Sequence, residues 1–222
     1  MSIWGKIFGG TSGFVIGGPL GGLLGIFAGH AIDKFNTKKL PENIAVKQVN
    51  FTIGVIALSA KMAKADGIVS HQELDAFKKG LIISQNELKN VEKVWNFAKQ
   101  SVHGFESYAK QLAKLFKPGS SILENLIHLL FSIAKSDGLI TIEETKFLKK
   151  VSDIFGFDDE KFNLLKEIYL SNDSDPYTIL QSNKNDPIDL INKKRIFLLK
   201  KHHPDVLIAK GQPLEFVEKN NH

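Results

Sequence analysis

No cysteine occurs in this 222-residue chain, which rules out disulfides and thiolate metal sites and suits a reducing compartment. Proline is missing between Pro41 and Pro118, so nothing in that stretch interrupts a run of helices. Formal charge is missing from Ile7 to Ile32, 26 residues bounded by Lys6 and Asp33, where Thr11, Ser12 and His30 are the only polar side chains. No nucleophile motif, phosphate loop or metal-spaced cluster is present, so the sequence offers no catalytic residue and implies no cofactor. The basic excess, +5 with an isoelectric point near 9.2, is spread along the chain instead of gathered in one run. That spread argues against nucleic acid as a partner. With 43% hydrophobic and 24% charged residues, the composition is that of an ordinary folded protein with a packed core.

The uncharged run is long enough to cross a bilayer, whose hydrocarbon core of roughly 30 Å needs about 20 helical residues. A secretory signal would have a shorter apolar region and a small-residue cleavage site, so residues 1–35 read as a retained transmembrane anchor and 36–46 as a juxtamembrane linker. Within the run, Gly9, Gly13, Gly17, Gly21, Gly25 and Gly29 recur at every fourth position, with Gly10, Gly18 and Gly22 beside them. In water each would cost a helix roughly 1 kcal/mol relative to alanine. In lipid, small residues at i, i+4 let two helix backbones approach closely, so the stripe predicts a homodimer. Pro19 predicts a kink. The competing reading is a flexible glycine-rich tail. Lys34, Lys38, Lys39 and Lys47 after the span, against Lys6 before it, place the C-terminal bulk in the cytoplasm.

The middle of the chain reads as successive amphipathic helices, for example Val46–Lys64 and Val91–Lys99, and the fold class is all-α. An internal repeat matches Ala63-Lys64-Ala65-Asp66-Gly67-Ile68-Val69-Ser70-His71-Gln72-Glu73 to Ala134-Lys135-Ser136-Asp137-Gly138-Leu139-Ile140-Thr141-Ile142-Glu143-Glu144. Two helix-turn-helix units follow from it. Each copy contains the second half of a calcium-loop pattern, but Met62 and Lys64, or Ile133 and Lys135, stand where the first and third carboxylates belong. Capping explains every residue instead: Asp-Gly turns the chain, and Ser70–Glu73 and Thr141–Glu144 form capping boxes for the next helices. Asp66, Glu73, Asp137 and Glu144 are the acidic candidates for a metal patch, and the capping role is preferred for them; no metal site is expected. The paired units, with Asp153-Ile154-Phe155-Gly156-Phe157 after them, resemble the TerB-type all-helical domain. The resemblance spans roughly Lys47 to Leu170 and implies an interaction or sensing module, with the domain placed at 47–171.

Beyond a polar Asn172-Asp173-Ser174 linker, Asp175-Pro176-Tyr177-Thr178-Ile179-Leu180 opens a new unit at 172–222. Asp186 and Pro187 read as the N-cap and first residue of a helix running to about His202. On it Lys193 and Lys200, like Lys194 and Lys201, lie seven residues apart and share a face. The combination of Asp175-Pro176-Tyr177, a basic helix and His203-Pro204-Asp205 resembles the J domain of DnaJ-type co-chaperones. The continuation from Val206 through Lys210-Gly211-Gln212-Pro213-Leu214-Glu215-Phe216-Val217 narrows the resemblance to the DjlA-like subgroup: glycine-rich span, TerB-like domain, J domain. The resemblance implies a single-pass protein of the bacterial inner (cytoplasmic) membrane and a DnaK-type chaperone ATPase as partner. Lys193, Lys194, Lys200 and Lys201 would meet its acidic surface, and His203, Pro204 and Asp205 would engage its nucleotide domain and favour ATP hydrolysis.

Two departures qualify the resemblance. Where the family's helix carries Tyr-Arg-Lys-Leu, this chain has Arg195, Ile196, Phe197 and Leu198, and Gln181 replaces a common glycine. Glu218 to His222 occupy the start of what should be a third helix, so the J domain reads as incomplete. The alternative function is therefore a membrane-bound TerB-like interaction or stress-signalling module whose J segment does nothing. Metal-dependent sensing through the acidic turns is a third.

Overall fold

The structure, a computed structural model, describes residues 7, 18–28, 44–65, 67, 71–80, 83, 85–100, 102–170 and 175–216. Among these residues every regular element is helical, as the periodicity requires. Of the expected transmembrane segment, one helix is described, α1 (Gly18–Ala28). Gly21 and Gly25 lie on it, whereas Gly9, Gly13, Gly17 and Gly29 fall outside the described residues. Its 11 residues span about 16 Å, and no helix among the described residues is long and apolar enough to cross a membrane. The residues before Gly18 that a kink at Pro19 would involve lie outside the described residues. Pro19 sits in the first turn of α1, where its missing N–H would have had no helical partner anyway. Leu20 and Leu23 are buried, and the Leu20 N–H donates to Gln111 Oε1 at 3.1 Å.

Helix α2 (Ile44–Met62) is the axis of the bundle. The sequence pattern suggests one apolar face, but Phe51 to Ala63 are buried on every side. The reason is that α1, α4 (Gln85–Ala98), α5 (Phe105–Phe116) and α6 (Ser121–Ala134) all pack around it. Polar side chains on a helix enclosed in this way mostly find partners within the protein. Thr52 Oγ1 donates back to the Gln48 carbonyl at 2.9 Å, and Asn50 Nδ2 to the Val46 carbonyl at 2.8 Å. Gly54 lets α5 approach α2 closely: a Cβ there would lie 2.7 Å from Leu112 Cδ1.

Helix α3 (His71–Lys79) follows the first Asp-Gly turn, and α7 (Ile142–Ile154) follows the second. Gly67 and Gly138 have φ of +90° and +104°, with open space where a Cβ would stand. Backbone conformation, not crowding, thus asks for glycine in both copies of the repeat. Helix α8 (Asp159–Leu170) closes the bundle, with Phe131 of α6 stacked on Tyr169 at 5.2 Å between ring centroids.

The C-terminal unit is a chain of short elements: α9 (Pro176–Ile179), α10 (Ile188–Lys201), α11 (Pro204–Ala209) and a 3-10 turn at Leu214–Phe216. Asp175 caps α9 by accepting the Tyr177 N–H at 3.1 Å. Asp186 does not cap α10 as the sequence suggests. Its carboxylate turns back to accept the Asn183 N–H at 3.0 Å and meets Lys194 Nζ at 3.2 Å, leaving Pro187 as the flanking residue. Gln181, where the family pattern favours glycine, stands at φ +54°, a left-handed conformation that glycine would adopt without steric cost.

Candidate functional site

The second repeat turn is a helix start. Thr141 Oγ1 accepts the Glu144 N–H at 3.2 Å, while the Glu144 carboxylate accepts the Thr141 N–H at 2.8 Å and its hydroxyl at 3.0 Å. Both halves of the capping box are therefore formed. Asp137 accepts the Leu139 N–H at 3.4 Å, and Glu73 is buried. Asp66 and Ser70 lie outside the described residues, so the first box is not described. Among the described residues, no three His, Cys, Asp or Glu side chains gather closely enough to hold a metal ion. Thr141→Ala should lower the unfolding free energy by about 1 kcal/mol, read by urea denaturation. A loss below about 0.3 kcal/mol would show that the box contributes nothing.

The His203-Pro204-Asp205 turn is built on the same physics. His203 is the N-cap of α11, its Nδ1 accepting the Asp205 N–H at 3.3 Å, and Pro204 takes the first helical position. The carboxylate of Asp205 lies 3.7 Å from His203 Nδ1. Both side chains face solvent, His203 at 53% and Asp205 at 88% exposure.

The four lysines of the basic helix separate into two kinds. Lys193 and Lys200 are exposed. Lys194 Nζ donates to the Gln181 carbonyl at 2.6 Å and pairs with Asp186, which holds α10 to the loop before it. Lys201 Nζ lies 2.6 Å from Glu124 Oε2, so it faces the bundle. Ile196 and Phe197, at positions where the family pattern is basic, are solvent-exposed. Leu198, the one residue kept from that pattern, lines a cleft of about 1050 Å³ between α10 and the bundle, opposite Leu129 and Leu164.

Glu124 is the residue that periodicity did not single out. It is 1% exposed on α6, and it receives Lys161 Nζ from α8 at 2.6 Å and Lys201 Nζ from α10 at 2.6 Å. Burial opposes its ionisation, but the hydrogen bonds and charges of the two lysines prevail and hold its carboxyl at about 2. His202 Nε2 lies 3.7 Å away, and His202 Nδ1 donates to Asn125 Oδ1 at 2.9 Å. One turn along α6, burial pushes the His128 imidazole down to about 4, with its Nδ1 3.1 Å from the Tyr169 hydroxyl. Burial pushes that tyrosine up to about 12. The available signal is a glutamate and a histidine at i, i+4 in the mostly apolar run from Ile122 to Ile133, where Asn125 and Ser132 are the other polar residues.

Two family models match the chain. The family model described as tellurite resistance protein TerB matches residues 52–167, and the one described as co-chaperone DjlA transmembrane domain matches residues 1–58. A co-chaperone protein DjlA of Photobacterium profundum is 23% identical over 99% of this chain and 93% of its own length. The protein of that name from Coxiella burnetii is 25% identical over 96% and 90%. That of Legionella pneumophila is 27% identical over 61% of this chain and 50% of its own. No solved structure matches the chain.

Proposed function

The chain belongs to the TerB family and is DjlA-like, and from that premise we propose that it is a membrane-anchored J-type co-chaperone that docks on a DnaK-type chaperone ATPase and stimulates its ATP hydrolysis. One observation carries the reading: His203 and Asp205 stand in solvent at the start of a helix whose next core residue, Leu207, is 3% exposed. A turn held from below and open above suits contact with another protein. The chain is then a regulator and not itself an enzyme.

In this reading Lys193 and Lys200 supply the charge that steers encounter, and Lys194 and Lys201 shape the helix that presents them. His203, Pro204 and Asp205 make the directed contacts. Residues 1–35 hold the protein by a single pass in the bacterial inner membrane, the C-terminal bulk lies in the cytoplasm, and the glycines from Gly9 to Gly29 pair two copies. Tethering would raise the turn's effective concentration near membrane-bound clients. A second reading, an interaction module whose J-like segment is purely structural, is favoured by the pairing of Lys201 with the bundle instead of with solvent.

The test is ATP turnover by a DnaK-type chaperone with the full chain in lipid nanodiscs. Stimulation on the order of tenfold is expected, with His203→Gln returning turnover to the basal rate, as loss of a contact worth about 1.4 kcal/mol or more would do. If the unaltered chain leaves turnover at the basal rate, the co-chaperone reading falls and the module reading stands.

A further inference from the structure

Both flanks of the His203-Pro204-Asp205 turn end on one patch of the helical bundle. Upstream, Lys201 reaches Glu124 and His202 reaches Asn125. Downstream, Lys210 Nζ donates to Ser121 Oγ at 3.3 Å, and Asn125 Nδ2 donates to Gln212 Oε1 at 3.5 Å. Ser121, Glu124 and Asn125 are i, i+3 and i+4 in the first turn of α6, hence one face. The downstream flank is also seated in the core. Phe216 is 4% exposed and meets Phe51 edge-on at 5.1 Å. Gly211, at φ +105°, lies where a Cβ would come within 3.0 Å of Lys47 Cβ.

The segment lacks the means to hold this turn by itself. Helix α10 has no buried residue along its 14 positions, and α11 is six residues long. Helices of that length are marginal in water without tertiary support. The support visible here is polar at one end and aromatic at the other. If the docking served to hide the turn, His203 and Asp205 would be covered. They are the exposed part, while Leu207, Gln212 and Phe216 are buried.

We propose that the TerB-like bundle is the scaffold of the His203-Pro204-Asp205 turn, through a docking face at Ser121, Glu124 and Asn125, with Glu124 as its positioning residue. The two regions then work as one unit, and the bundle sets how well the turn is presented. The functional half of this proposal rests on the co-chaperone reading; the structural half does not. Glu124 acts through Lys201, since its side chain is 2% exposed and too deeply placed to meet a partner protein.

The experiment is amide hydrogen exchange on the full chain, unaltered and as Glu124→Gln and Lys201→Met, paired with the chaperone turnover assay. Lys201→Met keeps the alkyl stem and leaves the Glu124–Lys161 pair intact. In both variants the amides of Val206 to Lys210 should exchange about tenfold faster or more, while those of Phe147 to Val151 in α7 stay unchanged. In the turnover assay Glu124→Gln should raise the half-maximal concentration several-fold more than it lowers the maximal rate, about a tenfold weaker fit for each 1.4 kcal/mol of lost presentation. Glu124→Asp should restore part of it. Unchanged exchange at Val206 to Lys210 in Lys201→Met overturns the proposal, and that variant decides the matter if Glu124→Gln unfolds. Faster exchange in a chain that never stimulates the chaperone sinks the co-chaperone reading and keeps the scaffold.

Discussion

Glu124→Ala is expected to lower the unfolding free energy of the bundle by about 3 kcal/mol, the lower end of the range for breaking a buried ion pair. The sign follows from what is left behind. Lys161 and Lys201 both direct an ammonium at a carboxylate that would no longer exist, 2.6 Å away in each case. The cost stays at the lower end because neither lysine is trapped: their side chains are 19% and 29% exposed, so each can turn its charge toward water. Opposing this, alanine removes the desolvation of the glutamate itself, which favours the variant. The first effect wins because the pair of lysines already more than offsets that desolvation in the folded protein. Urea denaturation of the full chain measures it. A loss under about 1 kcal/mol would place the network in the class of solvated surface pairs. A double-mutant cycle with Lys161→Met should give a larger coupling than one with Lys201→Met, because Lys161 is the less exposed lysine and belongs to α8 of the bundle itself.

Local features of the fold were legible in the sequence; the contacts between distant segments were not. The Asp-Gly turns and the Thr141–Glu144 box could be read directly, because a cap is a relation between residues three apart. The extent of α10 and the helical class of the chain follow from spacing in the same way. Glu124 could not be placed, because its partners stand 37 and 77 positions away, and no periodicity in a single sequence encodes that distance. Lys201 falls in the basic stripe for the same reason: seven-residue spacing says which lysines share a face, but not which face meets the bundle. Asp186 departs from its sequence signal on a finer point. Asp-Pro before a helix is a sound capping signal, and here Lys194, eight residues on, and the Asn183 N–H both bind the same carboxylate. Leu20, Leu23 and Phe216 show the limit for apolar residues, since burial depends on which distant surface is near.

Acid should destabilise the protein in two overlapping windows, because the two buried groups on α6 titrate in opposite chemical senses but with the same sign. His128 has its folded pKa pushed from 6.5 down to about 4, first by burial, then by the charges of Lys161, His202 and Lys201, with Glu124 opposing. Between those values the unfolded chain binds a proton that the folded one refuses. The contribution is complete above pH 6.5 and is lost as pH falls through about 4. Glu124, pulled from 4.5 to about 2, contributes fully above 4.5 and loses its contribution as pH falls through about 2. For either group alone, the displacement of its pKa corresponds to roughly 3 kcal/mol as an upper figure. The two do not sum, because a proton on His128, one turn from Glu124, meets a carboxylate that partly compensates it. His202 adds to the upper window in the same direction, its pKa lowered chiefly by burial. His128→Phe, which keeps a flat ring and removes the titration, should therefore flatten the fall in urea midpoint between pH 7 and pH 5, while Glu124→Gln should leave that stretch sloping and flatten the fall below pH 4. Parallel curves for the unaltered chain and His128→Phe above pH 5 would mean that the imidazole takes up its proton without leaving the folded state, and the upper window would then belong to His202.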